Sequence, residues 1–236
     1  MEPITLPLIM LFASFTQGVA GFGLALVAMP LIIESLGVQS ATSLIALIAI
    51  IARIALLINY RQAVNLRVAG RLIVASTIAL PIGVLGLQQL DGPFLRTLLG
   101  VLICLYAIYA LLNLRLPPVA HPWWAYGAGF FCGLLSGAYN TGGPPVVMYG
   151  TSRQWSPAEF KGNIQTVGLL NSLVVIGLHI AVQDYTADVM HDFVLVLPTS
   201  VLGLALGMAV ARYINQALFR RLVLILLLIV GANLII

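Results

Sequence analysis

The chain has 236 residues, of which 61% are hydrophobic and 8% are charged, and its formal net charge is +4. A water-soluble domain carries about 25% charged residues, so this composition excludes a water-soluble protein and predicts an integral membrane protein. A net charge of +4 on a chain this apolar does not indicate a nucleic-acid-binding protein.

The first half of the chain predicts one interrupted apolar element followed by three membrane helices. A helix needs roughly 17 to 25 apolar residues to cross a bilayer, and three segments meet this requirement: 41–60, 68–88 and 94–113. Before them lies an apolar stretch, 3–35, that is broken by glycines within QGVAGFGLALVAMP (17–30). We expect a broken helix at this stretch.

The second half predicts the same order of elements. Its broken stretch is 122–151, where SGAYNTGGPPVVMY (136–149) combines glycines, prolines and polar residues. Three further membrane helices are predicted at 160–181, 193–213 and 217–236. The arrangement predicts an internal repeat, 1–115 and 116–236, within one integral membrane domain.

Matching residues support the repeat. The two broken stretches match at Gly18 and Gly137, Gly23 and Gly142, Val27 and Val146, and Met29 and Met148. Further along, LPIGVLG (80–86) is placed opposite LPTSVLG (197–203), and Arg96 opposite Arg220.

Charged loops predict that the two repeats have opposite orientations. The loop at 59–71 contains three arginines and no acid, which places it in the cytoplasm, whereas its counterpart at 182–192 contains three aspartates and no Lys or Arg. Conversely, 212–221 contains three arginines, and its counterpart at 88–96 is nearly neutral. Equivalent loops therefore prefer opposite sides of the membrane.

This topology predicts that each broken stretch is a re-entrant hairpin. Both ends of 122–151 fall in the cytoplasm, and its residues are too few for two full crossings; a single crossing would place the arginine-rich loop at 59–71 outside. The predicted fold is an all-α polytopic membrane protein with two inverted repeats, each made of a hairpin and three helices. Both termini are predicted outside.

The hairpin tips predict an anion site. A helix that begins at the tip presents unpaired N–H groups and a partial positive charge, which favour an anion, and glycine allows close approach of a ligand. Close helix packing by small residues is the alternative, and we favour it for Gly83, Gly86, Gly203 and Gly207. The candidate substrate-binding residues are Gln17, Gly21, Phe22, Gly23, Arg53, Asn140, Thr141, Gly142, Gly143, Asn163 and Gln165.

Charged side chains leave two alternatives open. Arg53 lies within a predicted helix, where it either contacts the anion or extends its charge toward the helix end. Arg153 and Lys161 flank the second hairpin on the predicted inner side, where positive-inside marking is favoured over an entry funnel for anions. The carboxylates lie at segment ends or in loops, so we expect transport driven by the membrane potential rather than by protons.

Two motifs carry a resemblance to a known family. GFGLALVAMPLII (21–33) and GLLSGAYNTGGPPVVMYG (133–150) resemble the two signature regions of the sulfite exporter TauE/SafE family. The first motif has GFG where many members have a longer glycine run. The resemblance implies transport of small anions, typically sulfur-containing ones such as sulfite, sulfoacetate or other organosulfonates.

We therefore expect a secondary transporter, acting as an exporter by alternating access around the hairpin tips, in the inner (cytoplasmic) membrane. An anion channel lined by the same hairpins is the alternative. An enzyme is not expected, because nothing in the sequence places a base beside Ser136, and neither a metal nor a cofactor is predicted. The partners are a small anion and the lipid bilayer, with no nucleic acid; a homodimer is left open.

Overall fold

The computed structural model describes residues 4–113, 117, 119 and 121–235, and the described residues form nine α-helices and a short 3₁₀ turn, without strands. The helices are α1 (Thr5–Ala20), α2 (Leu24–Tyr60), α3 (Leu66–Gln89), α4 (Gly92–Leu111), α5 (Trp123–Tyr139), α6 (Gly143–Ser152), α7 (Pro157–Ala181), α8 (Ala187–Val210) and α9 (Gln216–Asn233). The prediction of an all-helical fold is confirmed. The predicted segment ends at 3 and 236, and the boundary between repeats at 115 and 116, lie outside the described residues.

Six of the described helices are long and apolar enough to cross a membrane: α2, α3, α4, α7, α8 and α9. They coincide with the six predicted spans, although their ends differ. The largest difference is α2, whose 37 residues would measure about 55 Å if straight, well beyond a hydrocarbon layer of about 30 Å. Gly37 has non-helical dihedral angles (φ 76°, ψ 165°) and divides α2 into 24–36 and 38–60. The second part corresponds to the predicted helix at 41–60.

The chain breaks within both stretches where glycines interrupt the apolar pattern. Between α1 and α2, Gly21 and Gly23 adopt positive φ angles of 81° and 114°, a conformation that costs glycine little. Between α5 and α6 the residue with positive φ is Asn140, at 57°, because asparagine is the residue after glycine that most readily tolerates it. Each break thus ends one short helix and begins another.

Small residues set the closest helix contacts. Helix α1 packs along α8, and α3 packs along α5. A Cβ added at Gly18 would lie 2.7 Å from the carbonyl oxygen of Leu204, and one at Gly83 would lie 2.9 Å from the amide nitrogen of Ala138. Close packing is therefore the role of Gly83, and of Gly203 and Gly207, where an added Cβ would meet α1 backbone. Gly86, by contrast, has open space beside it, so the packing role expected for it is wrong.

The α1–α8 pair and the α3–α5 pair pack through corresponding residues. These residues correspond differently from the alignment that the proline motifs suggested. Gly18 faces the backbone of Leu204, and Gly137 faces that of Leu80. This packing equates Leu80 with Leu204, whereas the proline motifs placed it opposite Leu197. The reason is physical: the small residues in STIALPIG (76–83) and SVLGLALG (200–207) make the contacts.

Candidate functional site

A small cavity lies between the two interrupted elements and helices α2 and α7. The space within it that is open to the centres of water molecules is about 50 Å³, enough for a few waters or one small ion. The predicted site residues that line this cavity are Gln17, Gly21, Phe22, Gly23, Arg53, Asn140, Thr141, Gly142, Gly143 and Gln165. The structure thus brings together every predicted site residue except Asn163.

The two chain breaks lie against each other at this cavity. The Phe22 ring is 3.7 Å from the position that a Cβ on Gly143 would occupy. At Gly142, an added Cβ would lie 2.5 Å from the carbonyl oxygen of Cys132 and would overlap the hydroxyl of Ser136. Only glycine fits at Gly142, because the neighbouring backbone cannot move aside without disturbing α5.

Glutamine side chains hold the first break in place. The side-chain oxygen of Gln17 accepts a hydrogen bond from the Leu24 amide at 3.1 Å, which satisfies one of the free N–H groups at the start of α2. The Gln165 amide donates to the carbonyl oxygen of Gly21. The first tip therefore has fewer free donors than the sequence pattern suggested, and both glutamines act on the backbone as well as facing the cavity.

Asn140 has unused hydrogen-bonding capacity at the second break. The residue is only 2% exposed, yet among the described residues neither its Nδ2 nor its Oδ1 has a hydrogen-bond partner. A buried polar group without a partner costs about 1–3 kcal/mol, and such groups are rare in folded proteins. Asn140 is thus available to bind a ligand or water in the cavity.

Arg53 gives the cavity its positive charge. Its Nη1 donates to the Gly168 carbonyl oxygen at 2.6 Å and to the hydroxyl of Ser172. The guanidinium has five N–H donors, and among the described residues no carboxylate forms an ion pair with it. Among the described residues that line the cavity, no other side chain is charged. The arginine thus reaches α7 inside the protein, where no described carboxylate balances its charge.

Asn171 also lines the cavity, although it was not among the predicted site residues. Its Oδ1 accepts from the Ser76 hydroxyl at 2.7 Å, and its Nδ2 lies 3.4 Å from both the sulfur of Cys132 and the hydroxyl of Ser136. A signal was present: Gln165, Gly168 and Ser172 recur at helical spacing on α7, so small and polar residues mark one face.

Asn163 was predicted to bind the substrate, but it does not line the cavity. It is fully buried, and its Oδ1 accepts from the Asn65 amide at 2.8 Å. Asn65 in turn caps α3, with its side chain accepting from the Val68 amide. Asn163 thus fixes the start of α3 against α7. Among the described residues, no three His, Cys, Asp or Glu side chains group as metal ligands would.

Known proteins are similar to the chain along most of its length. A family model described as "Sulfite exporter TauE/SafE" matches residues 6–234. The chain is 28% identical over 179 residues to the "Probable inner membrane transporter protein TsaS" of Comamonas testosteroni, and the match covers 75% of this chain and 74% of that protein. No solved structure matches the chain.

Proposed function

The chain belongs to the sulfite exporter TauE/SafE family, and from that premise we propose that it is a secondary transporter that exports small sulfur-containing anions across the inner membrane. The observation that carries the proposal is Arg53, a cation that has no counter-ion among the described residues, in a small cavity within apolar helices. Arg53 is partly buried, a charge withdrawn from water without an ionic partner is costly, and a bound anion would supply that partner. The inner-membrane location named for the Comamonas testosteroni relative supports the proposed location.

The cavity favours a substrate of few atoms with several acceptor oxygens. Arg53 and the Asn140 amide supply donors, and Ala25 and Leu26, in the first turn of α2, also line the cavity. Sulfite and small organosulfonates present a compact set of oxygens that matches such donors. The substrate class that we propose is sulfite, sulfoacetate or another small organosulfonate.

We propose that the two halves are related as inverted repeats. Helices α4 and α9 run antiparallel, because Gly100 lies beside Gly231 while the Cys104 sulfur lies 3.7 Å from the Leu228 carbonyl oxygen further along α4. Helices α4 and α9 are each the last helix of their half, so we take them as equivalent. Because they run in opposite directions, the two halves have opposite orientations in the membrane. Helix α1 of the first half packs on α8 of the second, and α5, the equivalent of α1, packs on α3, the equivalent of α8. The same contact between halves is thus made twice, which also supports the relation.

We further propose that each broken element is a re-entrant hairpin. Helices α1 and α5, with 16 and 17 residues, measure about 24–26 Å, and α6, with 10 residues, measures about 15 Å. These lengths suit segments that reach the membrane interior and return. Both termini then lie outside.

The hairpin proposal predicts that both ends of the second broken element face the cytoplasm. Single cysteines at His121 and Ala158, in a background with both Cys104→Ser and Cys132→Ser, should react with a bulky membrane-impermeant maleimide from the same side as a cysteine at Gln62. A cysteine at Asp188 should react only from the opposite side. Labelling of His121→Cys and Ala158→Cys from different sides would mean that the element crosses the membrane, and the hairpin would be wrong.

Alternating access is supported by a difference between the two sides of the cavity. Ala20, just before the first break, lines an open space, whereas its counterpart before the second break, Tyr139, is 1% exposed and donates to the Leu95 carbonyl oxygen at 2.9 Å. Beyond it, Arg96 pairs with Glu34 at 3.2 Å. We propose that this conformation is closed on the outside, as a carrier in its inward-facing state would be.

Flux measurements in proteoliposomes test the function. We expect sulfite or sulfoacetate flux that saturates with concentration, exchanges with unlabelled anion, and follows an imposed voltage in the absence of a pH gradient. A potential of 100 mV is worth about 2.3 kcal/mol per charge, or about a 50-fold gradient of a monovalent anion. Flux that required a pH gradient and ignored voltage would contradict potential-driven export, and an ohmic current without saturation would favour the channel alternative.

A further inference from the structure

A second cavity, of about 300 Å³, adjoins the central cavity on the side of the α6–α7 and α8–α9 connections. We propose that it is a vestibule that binds small anions before they enter the central cavity, and that Phe22 is the gate between the two. This proposal rests on the proposed function. In this proposal Lys161 and Arg220 bind the anion in the vestibule. Phe22 controls passage between the two cavities and does not hold the anion.

The vestibule is positively charged. Lys161 and Arg220 both line it, and the described residues that line it include no carboxylate. The Lys161 ammonium donates to the Tyr60 hydroxyl at 3.3 Å and lies 5.2 Å from the centre of that ring, so its known contacts leave its charge unneutralised. Two cations in a cleft with apolar walls raise the local concentration of anions.

Lys161 also connects the vestibule to the tip of the first broken element. A Cβ added at Gly21 would lie 3.1 Å from the Cγ of Lys161, so the lysine stem packs directly on the glycine that begins the break. Because Gly21 lines the central cavity, the lysine stands at the boundary between the two spaces. An anion that leaves the lysine therefore has a short path toward Arg53.

Phe22 occupies that path. It lines both cavities, and its ring packs edge to face against Phe160, with centroids 6.0 Å apart. The residue is flanked by Gly21 and Gly23, which both adopt positive φ. Glycines on either side allow the backbone to change its dihedral angles at little cost, so the ring can move aside without unwinding α1 or α2.

The native cysteine Cys132 provides a test of the gate, because it lines the central cavity. In a Cys104→Ser background it is the only thiol. We would react this protein, in nanodiscs of uncharged phosphatidylcholine, with 2-sulfonatoethyl methanethiosulfonate, which forms a mixed disulfide and releases methanesulfinate, and follow the reaction by mass spectrometry. Phe22→Ala should raise the modification rate of Cys132 at least about tenfold, and Phe131→Ala, at an exposed phenylalanine, should not change it.

A charge comparison tests the vestibule. In the Phe22→Ala protein, the anionic reagent should react faster than the cationic 2-(trimethylammonium)ethyl methanethiosulfonate. Lys161→Gln and Arg220→Gln should each lower this anion-to-cation ratio about threefold or more, and 0.5 M salt should reduce it as well. Arg212→Gln removes the same charge from a residue outside the lining and should leave the ratio unchanged.

Two outcomes overturn the proposal. If Phe22→Ala labels at the background rate, including the case in which neither protein reacts, Phe22 is not the gate. If the ratio is the same with and without Lys161 and Arg220, the cavity is not an anion vestibule. Labelling does not require transport, so absence of sulfur-anion flux in proteoliposomes would contradict the proposed function while leaving the labelling result interpretable.

Discussion

Arg53→Gln is expected to weaken sulfite binding at least about 30-fold and to abolish measurable flux. Removing one partner of a buried charge pair costs about 2–5 kcal/mol, because the remaining charge is left without compensation, and 1.36 kcal/mol corresponds to a tenfold change. In this cavity the remaining charge would be the anion itself. Binding is measured by isothermal titration of the purified protein, and flux by the proteoliposome assay.

A conservative replacement separates charge from geometry. Arg53→Lys keeps the positive charge, but an ammonium cannot present the planar fork of donors that a guanidinium offers to oxygen acceptors. We expect an intermediate loss, of about tenfold in affinity. If Arg53→Lys were as inactive as Arg53→Gln, the contacts to Gly168 and Ser172 would matter more than the charge.

The matched control is Arg67→Gln, which removes an exposed arginine from the start of α3. It should retain wild-type affinity and flux. Thermal unfolding without ligand should be similar for the Arg67 and Arg53 variants, because removing the uncompensated charge of Arg53 offsets the loss of its hydrogen bonds to Gly168 and Ser172. Full transport by Arg53→Gln would remove the observation on which the proposed function rests.

The chain breaks were predictable because their residues have local conformational preferences. Glycines at 21 and 23, and Pro144 one residue after the start of α6, mark backbone that cannot continue as one helix, and the structure breaks at both places. The long apolar run after the first break was harder to divide. Gly37 lies within the more polar segment ESLGVQS (34–40), which the sequence predicts as a connection between elements, whereas the structure resumes the helix already at 38.

Side-chain partners were the part that the sequence could not supply. Asn163 and Asn171 are both buried amides on α7. Asn163 accepts a hydrogen bond from the Asn65 amide at the start of α3, whereas Asn171 lines the cavity. Helical spacing groups Asn171 with the polar face of α7, but it does not identify the partners Asn65 and Ser76, which are distant in sequence. The residue-by-residue correspondence between α3 of the first half and α8 of the second half could not be predicted, for the same reason. It follows small residues that meet a neighbouring helix, not the more conspicuous prolines.

Asn140→Gly is expected to lower flux at least about tenfold without lowering the stability of the unliganded protein. Glycine adopts the positive φ of Asn140 without strain, and the replacement removes two buried polar atoms that have no hydrogen-bond partner in the described part of the chain. Each such group costs about 1–3 kcal/mol in the empty site, so its removal offsets the lost packing. Stability is measured by thermal unfolding, and binding by the rise in Tm that sulfite causes.

Two further variants make this result specific to the cavity. Asn140→Asp has nearly the same shape but adds a negative charge, so it should abolish the sulfite-dependent rise in Tm through repulsion. Gln154→Gly changes another residue of positive φ (54°), which is exposed, and should keep full flux. If Asn140 binds the anion, its replacement should lower activity while it preserves or raises stability. If Asn140→Gly instead lost stability in proportion to flux, the side chain would hold the helix break together and would not bind the anion.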